Sequence, residues 1–84
     1  MARISPKQPK KLAGKLLAIR NNLSLTQAEL VASLSMNVEV TQSQISSYER
    51  GSRLPSFLTL LAYAKLYGVS TDVLIDDGQR LPKS

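Results

Sequence analysis

An all-α domain of five short helices is the fold the sequence predicts, on three observations. Leucines and isoleucines recur at helical spacing. Hydroxyl residues suited to capping a helix stand just before several of these runs. Glycines stand just after two of them. No stretch alternates apolar and polar residues for long enough to predict a paired strand, and no segment repeats.

Residues 1–9 hold two prolines and two cations, Arg3 and Lys7, without an apolar period, and read as a flexible basic N-terminal arm. Leu12, Leu16, Ile19 and Leu23 then share one face, which predicts a first helix from about Lys10 to Asn21. Asn21, Asn22 and Ser24 are weak helix formers and mark its end. Thr26 and Glu29 have capping-box spacing, with Leu25 placed to staple onto Leu30. Leu30, Val31 and Leu34 form the apolar face of this second helix. Residues 35–40 break the pattern and read as a loop. Thr41 suits the N-cap of a third helix, in which Ile45 and Tyr48 face inward, and Gly51 stops it. Gln42, Ser43, Gln44, Ser46 and Ser47 cover most of the rest. Such an amide-and-hydroxyl surface is unusual for a helix that merely faces solvent, where Glu, Lys and Ala predominate. Ser56 caps a fourth helix with an apolar band of Phe57, Leu60, Leu61, Ala64 and Leu66, closed by Gly68. A brief fifth helix opens at Ser70 or Thr71, with Asp72 in its first turn and Val73 and Leu74 within it. Residues 10–76 thus form the domain, and residues 77–84 read as a loose C-terminal tail.

Eighty-four residues, 43% of them hydrophobic, suit one small folded domain. A core this small is of limited stability, and dimerisation is one usual supplement. No apolar run approaches the roughly 20 residues of a membrane span, and no secretory signal is expected. Cysteine and histidine are both absent. That excludes disulfides, zinc-finger ligands, Cys/His nucleophile pairs and the usual general base, and fits a reducing cytoplasm. The six acids form no arrangement resembling an active site, so neither an enzyme nor a cofactor nor a metal is expected.

The charge is uneven. Residues 1–53 carry eight cations against Glu29, Glu39 and Glu49, whereas residues 54–84 carry three cations against three acids. The whole excess of +5 lies in the first part of the chain. This suggests a polyanion such as nucleic acid, or ordinary solubility charge.

Three segments in order, Leu25-Thr26-Gln27-x-Glu29-Leu30, Ile45-Ser46-x-Tyr48-Glu49-x-Gly51 with Arg53 and Pro55, and Gly68-Val69-Ser70-x-Asp72-x-Leu74, resemble the lambda-repressor-like (Xre/Cro-type) helix-turn-helix family. The resemblance covers about residues 12–75. It implies a compact five-helix domain whose helices 2 and 3 form the helix-turn-helix. Helix 2 then crosses the phosphate backbone, and the start of helix 3 enters the major groove of double-stranded DNA. By position, the resemblance puts Gln42, Ser43 and Ser47 against bases and Gln44 at the groove edge. An amide matches N6 and N7 of adenine, and serine serves several base edges. Gln27 matches the residue that contacts phosphate and braces the first recognition glutamine, here Gln42. Arg50 and Arg53 match backbone-binding positions, and Lys10 and Lys11 add non-specific attraction. Arg20 and Glu49 match a structural ion pair between helices 1 and 3. Tyr48 is expected in the core, and Tyr63 and Tyr67 on a packing or dimer surface.

One departure stands out. The loop at residues 35–40 makes the connection about four residues longer than the usual turn of three to four. It sets the angle at which helix 3 meets DNA, and Glu39 brings a negative charge near the phosphate path. The leading expectation is a transcriptional regulator, a repressor acting as a homodimer on a two-fold operator. The second is an antitoxin-like or adaptor module that keeps the fold and binds a protein partner.

Overall fold

The computed structural model describes residues 9–83, so all of the predicted arm but Pro9 lies outside the described residues. Five helices follow one another: α1 (Leu12–Asn22), α2 (Gln27–Leu34), α3 (Gln42–Arg50), α4 (Phe57–Tyr67) and α5 (Thr71–Ile75). No strand occurs among the described residues. α1 packs against α3, α4 and α5, and α2 packs against α3 and α4. The centre is filled by Leu16, Ile19, Leu30, Leu34, Ile45, Tyr63 and Leu74, all essentially without solvent exposure. Each aliphatic side chain buried this way contributes about 1.5–3 kcal/mol.

α1 starts at Leu12, where its apolar period begins and two residues after the predicted Lys10, and Lys11 at its N-cap makes no side-chain cap bond. The caps come from the far end of the chain. The Asp77 carboxylate accepts the N–H groups of Lys10 (2.9 Å) and Lys11 (3.1 Å). Those two bonds hold the Asp77 carboxyl below its ordinary pKa. The stability they confer is therefore present above the ordinary carboxylate range and lost as pH falls through the lowered value. Residues 77–82, read from the sequence as part of a loose tail, are consequently tied to the domain. Leu81 packs against the core, and Tyr67 donates its hydroxyl to Pro82 O (2.6 Å).

α1 ends where its asparagines predict, with a left-handed residue after its last turn. Ser24 sits at φ +58°, and the Leu25 N–H closes onto Arg20 O (3.0 Å). A non-glycine residue there costs about 1–2 kcal/mol, partly offset by the greater freedom glycine has when unfolded. Ser24→Gly is thus expected to stabilise the fold by about 0.5 kcal/mol, a gain of about 2–4 °C in Tm. A thermal melt showing a lower Tm would refute this reading of the turn.

α2 and α3 both open with reciprocal caps. Thr26 accepts from Glu29 N–H while Glu29 accepts from Thr26 N–H, as the spacing predicts. Thr41 and Gln44 form the same box, which the sequence reading misses because it assigns Gln44 to the groove. Between the two helices, residues 35–40 form the predicted loop. Val38 and Val40 pack on the core and Met36 projects outward, 87% exposed. Gly51 ends α3 at φ +76° and Gly68 ends α4 at φ +78°, a region side chains rarely adopt.

α4 corrects the predicted band. Its inward residues are Thr59, Ala62, Tyr63 and Ala64, whereas Phe57 (78% exposed) and Leu61 face outward. The helix is apolar on nearly every side, so the period alone does not choose a face. Tyr63 is core rather than surface. Tyr67 packs with its hydroxyl accepting from Asn22 Nδ2 (2.8 Å).

Candidate nucleic-acid interface

α3 is held by its apolar side and by one polar network. Ile45 and Tyr48 anchor it to the core, which turns Gln42 and Ser43 out to solvent and leaves Ser46 and Ser47 half-buried. The network begins on α1. Arg20 Nε donates to Glu49 Oε2 (2.7 Å), and Arg20 Nη2 donates to Glu49 Oε1 (3.0 Å). The third contact, from Arg20 Nη1 to Leu25 O (3.1 Å), ties the same guanidinium to the start of α2. Only 17% of the Arg20 side chain and 6% of the Glu49 side chain are exposed. The ion pair expected from the resemblance is therefore present and nearly dry. The bond to Glu49 raises the Arg20 pKa further, so the guanidinium stays charged.

Glu49 has a third donor. Gln27 Nε2 reaches Glu49 Oε1 at 3.1 Å. Gln42 Nε2 in turn donates to Gln27 Oε1 across 3.4 Å, a long bond between exposed side chains. The expected brace between Gln27 and Gln42 is thus in place despite the longer loop. It is one end of a chain of side chains running Arg20, Glu49, Gln27, Gln42. Beside the pair lies the Tyr63 hydroxyl, buried and without a hydrogen-bond partner among the described residues. Burial first, then the Glu49 charge, pushes its pKa well up, so it remains a neutral phenol.

The other candidates are placed less directly. Gln44 folds onto its own N-cap, so its carbonyl oxygen is engaged with Thr41 N–H at 2.9 Å. Ser47 Oγ donates to Ser43 O (3.1 Å), which leaves it as an acceptor. Arg50 lies back along α3, with Nη1 on Ser46 Oγ and Nη2 on Ser47 Oγ (3.5 Å). These contacts use two of its five N–H donors. Lys10 and Arg53 are brought together on one cleft between the start of α1 and the connector after α3. Lys11, next to Lys10 in sequence, is exposed.

Lys15 is the residue the charge reading misplaces. It counts there in the basic excess of residues 1–53, yet it is only 7% exposed. Its Nζ donates to Val73 O (2.6 Å) and Asp76 O (2.9 Å) at the end of α5. The signal was present, since positions 12, 15, 16 and 19 make one helical stripe.

Among the described residues, no His, Cys, Asp or Glu cluster is placed to hold a metal ion, and no helix is long and apolar enough to cross a membrane. Compared with known proteins, residues 16–74 match a family model described as helix-turn-helix. No curated protein and no solved structure matches the chain.

Proposed function

Since the chain belongs to the lambda-repressor-like helix-turn-helix family and is a DNA-binding regulator of that type, we propose that it is a sequence-specific transcriptional repressor. It acts in the cytoplasm as a homodimer on a two-fold operator. The observation that carries this reading is the braced pair Gln27–Gln42, which fixes the exposed first turn of α3 against the start of α2. α2 then lies across the phosphates and α3 enters the major groove.

Gln42, Ser43 and Ser47 face the bases. Gln44, with its carbonyl engaged, offers only its Nε2 at the groove edge. Gln27 keeps one N–H for a phosphate, and Arg50, Arg53, Lys10 and Lys11 supply further phosphate contacts. Phe57, Leu58, Leu61 and Ile75 stand exposed around one apolar cleft. Surface of this kind favours a protein contact. That contact is a second copy in the repressor reading, and another protein if the chain is an antitoxin-like or adaptor module.

Selection from a random double-stranded pool, followed by gel shifts, tests the proposal. Gln42→Ala is expected to cost about 1–3 kcal/mol of binding at one base position and to relax selection there. Arg53→Gln is expected to weaken binding to all sequences alike and make the salt dependence shallower by about one unit of slope. If no sequence is selected even at low salt while a protein partner is bound, the adaptor reading replaces this one.

A further inference from the structure

The amide of Gln42 can stand two ways round, and the two offer different chemistry to a base. With Nε2 turned back to Gln27, it presents a carbonyl acceptor and one remaining N–H. Reversed, it presents only N–H donors. Adenine offers a donor at N6 and an acceptor at N7, whereas guanine offers acceptors at both O6 and N7. The first orientation suits adenine, and the second suits guanine.

What chooses between them lies two turns along the same helix. The Glu49 carboxylate only accepts hydrogen bonds. Both its oxygens are fixed by Arg20, and the group Gln27 turns toward it at 3.1 Å has to be the NH2. The Gln27 carbonyl therefore points the other way, toward Gln42, at 3.4 Å. An acceptor there demands a donor from Gln42. Reversing Gln42 would lose that bond and set two carbonyl oxygens against each other. Gln42 itself is exposed and has no other hydrogen bond among the described residues to hold its amide, so the ordering comes from the nearly dry Arg20–Glu49 pair.

We infer that Glu49, acting through Gln27, is a positioning residue for DNA specificity: it sets the polarity of the Gln42 amide and directs it to adenine over guanine. This rests on the DNA-reading proposal and adds a direction to it. The helix-spanning pair is then more than a strut, because its charge sign is passed through two amides to the surface that meets a base.

The test uses random-pool selection with the wild-type chain, Gln42→Ala and Gln27→Met. Gln27→Met removes the middle amide and leaves Arg20 and Glu49 paired, and circular dichroism confirms that it is folded. The position whose preference disappears in Gln42→Ala is the one Gln42 reads. There the wild type is expected to prefer adenine to guanine by roughly tenfold or more. In Gln27→Met that ratio is expected to fall to about threefold or less, with the other positions unchanged. Loss of a phosphate contact lowers binding to every sequence equally and leaves the ratio alone. The relay is overturned by an undiminished adenine preference in Gln27→Met, by an equal loss at all positions, or by a wild-type preference for guanine. A wild type that selects no sequence overturns the DNA-reading proposal and the relay with it.

Discussion

Glu49→Ala is expected to lower the unfolding free energy by about 3–5 kcal/mol, because it leaves a charged guanidinium nearly dry and unpaired. Arg20 spends two of its three directed contacts on this one carboxylate, and Gln27 loses its acceptor at the same time. A domain of this size has about 5–15 kcal/mol in total, so the variant is expected to be partly unfolded near its growth temperature. Urea denaturation measures the loss. Replacing both partners, Arg20→Met with Glu49→Leu, is expected to recover most of it, since the desolvation cost disappears with the charges. A loss below about 1 kcal/mol in Glu49→Ala would instead describe an exposed, screened pair. Low exposure of both side chains argues against that outcome. In the double replacement Gln27 has no carboxylate to orient it, so stability and base selectivity are expected to part company.

The elements were readable in the sequence where a single residue decides the local backbone. Thr26, Thr41 and Ser56 cap, and Gly51 and Gly68 stop, because each supplies a side-chain acceptor or a left-handed φ that few other residues supply at that point. Readability failed where a residue's partner lies far along the chain. Asp77 caps α1 from 66 residues away, and nothing local distinguishes it from a solvent-facing acid. The face of α4 was undetermined for a different reason: a helix apolar all round carries no directional signal, and neighbours on α2 and α5 choose which side is covered. Within the candidate site, residue types pointed to Gln42 and Ser43 as an unusual surface. The pairing of Arg20 with Glu49 came only through the family resemblance. The bond from Gln27 to Glu49 was in neither, since it depends on how two helices meet.

Lys15→Met is expected to cost about 1.5–3 kcal/mol, the range for hydrogen bonds made by a charged group, and Lys15→Ala about 3–5 kcal/mol once the buried stem is lost as well. The two bonds from Nζ end on Val73 O and on Asp76 O, which also accepts the Gln79 N–H (2.9 Å), at the C-terminal end of α5, where a cation is favoured. α5 has only five residues and no side-chain cap at Ser70, far too short to persist by itself. Leu74 from the core side and Lys15 from α1 hold it. Asp77 follows immediately, so freeing the end of α5 also loosens the caps on α1. Hydrogen exchange is therefore expected to show Leu25 and the α2–α3 pair little changed in Lys15→Met, while the amides of Lys10, Lys11 and Asp76 lose protection first. A variant as stable as the wild type would mean that solvent serves those carbonyls equally well. The salt dependence of DNA binding separates the two roles a lysine in this basic half can have. Because Nζ is committed to α5, Lys15→Met is expected to leave the slope unchanged, unlike Arg53→Gln, at temperatures where both are folded. A shallower slope in Lys15→Met would place its charge on the phosphates after all.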